Sequence, residues 1–157
     1  YRKLLDGCGR VPFSTRMSYA DTYIVDIKST RVGGRRHDTG GPDFLVVDTG
    51  TADSYLLNCQ CQTWALPRSN AVYPKSKVRK FPTVQFTLPG GHKIELGPNR
   101  YMKKQEGGFV TTLHAGDERI GKVFPGGQKI LLLGIEHIHG LVLDFDVDAK
   151  TLGIGRC

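Results

Sequence analysis

Long apolar runs are missing from this chain. None approaches the roughly 18 residues that a membrane-spanning helix needs, so no membrane span is expected. Solenoid-type repeats and low-complexity tracts are absent as well, which argues against repeat and disordered architectures. The opening residues, YRKLLDGCGR, contain neither an initiator methionine nor a signal-peptide pattern. They read as the start of a processed product or of a portion of something longer, and the missing signal says nothing about secretion of the parent.

Cysteine is scarce. Cys8, Cys59, Cys61 and Cys157 allow three complete pairings, and spacing does not choose among them. A bond between Cys59 and Cys61 would be awkwardly short, so one or both are expected to reach elsewhere. Their C-x-C spacing lacks a second ligand pair at a zinc-like distance. The compartment stays open, with the cysteines leaning toward a secretory or vacuolar (endomembrane) setting.

Recognised nucleic-acid motifs are also lacking. The net charge of +7 permits an acidic partner, and basic residues gather in RVGGRR, PRSNAVYPKSKVRK and NRYMKK. No aromatic is interleaved among them in a stacking pattern, so solvated loops are the favoured reading and nucleic acid is a permitted but not favoured partner. Other site signals are incomplete. His137 and His139 in GIEHIHG would point to different faces of a short helix, against a shared metal. Asp144, Asp146 and Asp148 lack the loop glycine and closing glutamate of a calcium-binding EF-hand. The single tryptophan, Trp64, suits a core anchor as well as a binding platform. No metal and no cofactor are expected.

What is present suits one compact all-β domain. The chain has 157 residues, with 20 glycines and 8 prolines clustered in turn-like strings such as PGGH and FPGGQ. TYIVDIK alternates as a half-buried strand over residues 22–28, Val32-Gly33-Gly34 marks a turn, and RRHDTGGPD reads as a surface loop. FLVV, residues 44–47, is a strand covered on both faces. The residues after it make a tight turn and are expected to continue as a helix from about Ser54. Residues 67–80 read as loop. Val84, Phe86 and Leu88, the Pro89-Gly90-Gly91 turn, then Ile94 and Leu96 form the clearest hairpin. FVTTLHA should be a strand followed by an acidic turn at Asp117-Glu118. ILLL (130–133), LVLDFD (141–146) and the closing TLGIG complete the strand set.

The strongest chemical feature is FLVVDTGTADSYL. An apolar strand delivers Asp48 into a small-residue turn where Gly50 permits close backbone approach and Thr49 and Thr51 offer hydroxyls. A carboxylate ending an apolar run needs such donors. An Asx-type turn and a functional carboxylate fit the tetrapeptide equally well.

Here the chain resembles the pepsin-like aspartic proteases, especially their plant-type, nepenthesin-like branch. FLVVDTGTADSYL is similar to that family's Asp-Thr/Ser-Gly-Thr segment, and VPFSTRMSYADTYIVDIKSTRVGG to the start of its C-terminal lobe. FPTVQFTLPGGHKIELGPNRYM and ILLLGIEHIHGLVLDFDVDAKTLGIGRC are similar to its later hairpin and closing region, in the same order. The resemblance implies a single lobe of a double-psi, pepsin-like fold with one or two short helices, with residues 1–10 a lead-in or linker and 11–157 the C-terminal lobe. It implies Asp48 as a catalytic carboxylate, Thr49, Gly50 and Thr51 as support of the active-site loop, and Leu132, Leu133 and Gly134 as the psi-loop crossing beneath it. Ala52 departs from the family's usual Thr or Ser, and the stretch between Tyr55 and Phe81 is short. The implied chemistry is water-mediated hydrolysis of a peptide substrate by two carboxylates sharing one proton. One motif is present where two are needed. The missing carboxylate would come from an N-terminal lobe of the same protease, on the same precursor or a separate chain, or from a homodimer. The rival expectation is a catalytically inactive, protease-derived lobe serving as a binding or structural subunit.

Overall fold

A computed structural model describes residues 9–16, 22–37, 40–115, 127–139 and 141–155. The fold is all-β and forms a single lobe. In chain order, β1 (Gly9–Pro12), β2 (Ile24–Asp26), β3 (Ser29–Val32), β4 (Arg35–His37), β5 (Phe44–Val47) and β6 (Ser54–Leu57) come first. A one-turn helix α1 (Lys75–Val78) leads to β7 (Val84–Thr87) and β8 (Lys93–Leu96). Then follow helix α2 (Pro98–Tyr101), β9 (Met102–Gln105), β10 (Gly108–Thr111) and β11 (Leu113–Ala115). Finally come β12 (Ile130–Leu133), helix α3 (Ile135–Ile138), β13 (Val142–Asp146) and β14 (Thr151–Gly155). Among the described residues no helix is long and apolar enough to cross a membrane.

The central sheet has the order β11-β6-β12-β5-β2. Strand β12 runs parallel to β5 and antiparallel to β6, so two chain-distant apolar runs lie side by side. All four residues of each run are buried. Their alternation feeds two different cores, because successive side chains leave opposite faces of a strand. Leu45, Val47, Leu131 and Leu133 join the main core with Val25, Leu56 and Trp64. Phe44, Val46, Ile130 and Leu132 form a smaller cluster with Ile24 and Leu57. That second cluster explains why FLVV and ILLL lack polar positions, and why β2 buries Ile24 as well as Val25 where one buried face was expected. Trp64 takes the core-anchor role.

A four-stranded antiparallel sheet, β4-β3-β7-β8, contains the expected hairpin, with Gly90 and Gly91 both at positive φ in its turn. A three-stranded sheet, β1-β14-β13, joins the two ends of the lobe, pairing Gly9 with Ile154.

Four local expectations are corrected or fall outside view. Ser54–Leu57 is a strand and not a helix: an apolar segment this short cannot nucleate a helix alone, while pairing on both sides, with β12 and with β11, satisfies its backbone. Arg35–His37 is a strand and not loop, because Gly33 and Gly34 at φ 58° and 80° turn the chain back onto β3. A single helical turn interrupts the loop assigned to residues 67–80. With α2 and α3 this makes three short α-helices among the described residues, in keeping with the expected all-β lobe. The turn placed at Asp117-Glu118 lies outside the described residues.

Leu131 is wholly buried in the central strand. Leu131→Ala should lower unfolding free energy by about 2–5 kcal/mol in urea titration. Val147→Ala, at a side chain 58% exposed, should stay within about 0.5 kcal/mol.

Candidate functional site: the Asp48 turn and its surroundings

Asp48 follows directly on β5, and its N–H donates to Leu133 O at 3.0 Å, one step beyond the β5–β12 ladder. Its carboxylate is satisfied by its own turn. The Gly50 N–H donates to Oδ1 at 2.9 Å and the Thr51 hydroxyl to Oδ2 at 2.6 Å. Thr49 is exposed and makes no side-chain hydrogen bond among the described residues. Among those residues, too, no hydrogen bond joins Asp48 to a second carboxyl group.

The strand leaving β12 supports this turn from below. Leu132 and Leu133 are ladder partners of Val46 and Val47. At Gly134 an added Cβ would lie 2.1 Å from the Asp53 carbonyl oxygen and 2.7 Å from that of Ala52, so only glycine lets the two segments touch. Helix α3 starts there. The N–H groups of Ile135 and Glu136, unpaired within so short a helix, donate to the carbonyls of Thr51 (2.8 Å) and Ala52 (3.0 Å).

Beneath α3 lies a buried polar chain whose hydrogens can be assigned by elimination. The Gly134 N–H donates to Ser54 Oγ at 2.9 Å, and the Thr112 hydroxyl donates to Tyr101 O at 3.1 Å. His137 sits between them, with Nδ1 2.5 Å from Ser54 Oγ and Nε2 3.0 Å from Thr112 Oγ1. Because the Thr112 proton is committed, Nε2–H must donate to Thr112, leaving Nδ1 to accept from Ser54. A neutral ring completes the chain. Burial, with Arg100 nearby as a smaller cause, pulls its pKa down to about 4. His137 is thus a packed core residue. His139 is exposed at the end of α3 and does not share a site with it. Among the described residues no group of three or more His, Cys, Asp or Glu is placed to hold a metal ion.

Sequence reasoning missed a second polar cluster beside the turn. Asp53, just ahead of β6, places Oδ2 2.7 Å from Nε2 of His114 in β11. The other ring nitrogen, Nδ1, lies 2.8 Å from Ser69 Oγ in the loop before α1. The imidazole also stacks on Tyr55, its register partner in β6, with ring centroids 5.0 Å apart. No motif spacing announces residues 53, 69 and 114 as a group. Cys59 and Cys61 are free thiols nearby in the same loop region, and the hydrogen bond that the Cys59 thiol donates toward Cys61, together with burial, pushes the Cys59 thiol up. A separate pocket of about 480 Å³, lined in part by His92, Leu96, Arg100 and Ile154, contains none of the Asp48 turn.

No family model matches the chain, and no curated protein matches it. Solved structures do. A basic 7S globulin from soybean superposes with a TM-score of 0.65 at 14% identity, over 98% of this chain and 43% of that one. Conglutin gamma, a unique basic 7S globulin from lupine seeds, does so with a TM-score of 0.67 at 15% identity, over 99% and 42%. The fold is one shared with globulins. Identities this low show the fold alone, and the chain spans less than half the length of either protein.

This overturns the identification with plant-type pepsin-like proteases. The ordered motifs match a chain architecture that proteins named as globulins also possess. Physically, the quoted residues other than Thr49 already have a structural reason. Gly50 and Thr51 satisfy Asp48, Gly134 allows the crossing, and the apolar pairs fill two cores.

Two outcomes follow. Gly134→Ala forces a methyl into the Asp53 carbonyl and should cost about 1–3 kcal/mol in chemical denaturation. The neutral His137 makes stability fall as pH drops from about 6.5 to about 4, because only the unfolded state takes up the proton across that window. The loss should be on the order of 3 kcal/mol, level off below pH 4, and be flattened by His137→Gln in urea titrations across that range.

Proposed function

We propose that this chain is a lobe without peptidase activity at Asp48 that serves as a binding or structural subunit of a larger assembly. The observation that carries this reading is the likeness to globulins, which extends over nearly all of this chain but under half of theirs. The chain therefore corresponds to one portion of a larger architecture, and a second unit packed beside the Asp48 turn is the arrangement this reading expects. Its net charge of +7 favours acidic surfaces as partners.

The state of Asp48 supports the same reading. Water-mediated peptide hydrolysis needs two carboxylates close enough to share a proton. Asp48 accepts one hydrogen bond at each oxygen from its own turn, which gives the carboxylate a structural part to play, and among the described residues no hydrogen bond joins it to a second carboxyl group. In this reading Asp48, Gly50 and Thr51 shape a turn, with Thr49 presented to solvent, and Leu132, Leu133 and Gly134 hold that turn in place.

Incubation of the purified chain with an unfolded peptide, from acidic to neutral pH, should yield no cleavage. Cleavage that Asp48→Asn abolishes would overturn the proposal. Sedimentation of a native extract, followed by detection of the chain, should find it well above its own 17.3 kDa. Migration only at that mass would count equally against it.

A further inference from the structure

We propose that Ser69, His114 and Asp53 form a nucleophilic site for short-chain carboxylic esters, independent of the Asp48 turn. His114 bridges the other two side chains, at 2.8 Å to Ser69 Oγ and 2.7 Å to Asp53 Oδ2. The carboxylate can only accept, so it holds the proton on Nε2 and leaves Nδ1 with a lone pair facing the serine hydroxyl. A base oriented by a third group, in hydrogen-bond reach of a hydroxyl, is the arrangement that activates serine as a nucleophile. The roles are set by geometry and not by which ring nitrogen plays which part.

Each member is held by a separate part of the fold. His114 is the middle residue of β11, and its ring is stacked on Tyr55. The backbone of Asp53 is packed against Gly134. The Ser69 loop is tied down by the Arg68 N–H donating to the Tyr73 hydroxyl at 3.0 Å, while Tyr73 exchanges two backbone hydrogen bonds with Phe109. The histidine side chain is only 13% exposed, which shields the relay, whereas Ser69 is open to solvent.

Ser69 also lines a pocket of about 190 Å³ together with Cys59, Leu66, Arg68 and Ala115. That volume suits a short acyl group, and Arg68 adds a cation at its wall. Among the described residues the backbone N–H groups of Ser69 and Asn70 have no acceptor, so they are free to donate to an oxygen that gains charge. In the reaction, Ser69 Oγ attacks the ester carbonyl carbon as its proton passes to His114 Nδ1. The carbon–oxygen bond to the alcohol breaks, and the alcohol departs with that proton. Water, deprotonated by the same nitrogen, then hydrolyses the acyl-serine, releasing the carboxylic acid and restoring Ser69.

The test uses the whole 157-residue chain, a fluorophosphonate probe and p-nitrophenyl acetate. Mass spectrometry should place the phosphonate on Ser69, and Ser69→Ala, on an exposed loop, should abolish labelling. His114→Gln and Asp53→Asn should each slow labelling and ester hydrolysis on the order of a hundredfold, the usual span of general-base catalysis, with circular dichroism unchanged. No adduct on Ser69, an adduct only on other residues, or labelling of His114→Gln at the parent chain's rate would each overturn the proposal. If His114→Gln unfolds, the absence or presence of the Ser69 adduct in the parent chain still decides the matter.

Discussion

Strand β12 enters the central sheet between β5 and β6, and the Asp48 end of the lobe is built around how it leaves. Its last carbonyl, at Leu133, takes the Asp48 N–H, and the next residue must pass within contact of the Ala52 and Asp53 carbonyls. Only a residue without Cβ allows that passage. Once through, the chain turns into α3, whose first N–H groups satisfy the carbonyls of Thr51 and Ala52. The turn and the strand beneath it therefore complete one another's hydrogen bonding, as buried backbone requires.

The same constraint reaches the interior. Ser54 receives the Gly134 N–H and passes its own proton to His137, which donates onward to Thr112. Four chain segments are joined by one line of donors and acceptors, and a neutral histidine is what closes it. Such networks are stable when every member is satisfied and costly when one is not. A pattern that looks like a catalytic signature is thus maintained by backbone geometry. The lobe in which it occurs shares its fold with globulins.

The edge of the sheet carries a different kind of arrangement. Strand β11 lies parallel to β6 and sets His114 beside Tyr55, with Asp53 at the head of β6 and Ser69 reaching in from a loop. Here the polar groups are not consumed by backbone needs. They are side chains bonded to one another at a pocket wall, which is why this cluster and not the Asp48 turn supports a reactive reading.

Local chemistry made much of the fold legible. FLVV and ILLL announced fully buried strands, Pro89-Gly90-Gly91 announced its hairpin, and Asp48 could be expected to find donors in Gly50 and Thr51 because a carboxylate there has few alternatives. Period-2 and turn signals act over a few residues, so one sequence suffices to read them. Whether SYLL would be helix or strand was decided by two neighbours that pair with it from far along the chain. The burial of His137 and the meeting of residues 53, 69 and 114 were decided in the same way. Those outcomes depend on contacts between segments dozens of residues apart, to which no local pattern points, and they separate a turn that stabilises the lobe from a cluster equipped to react.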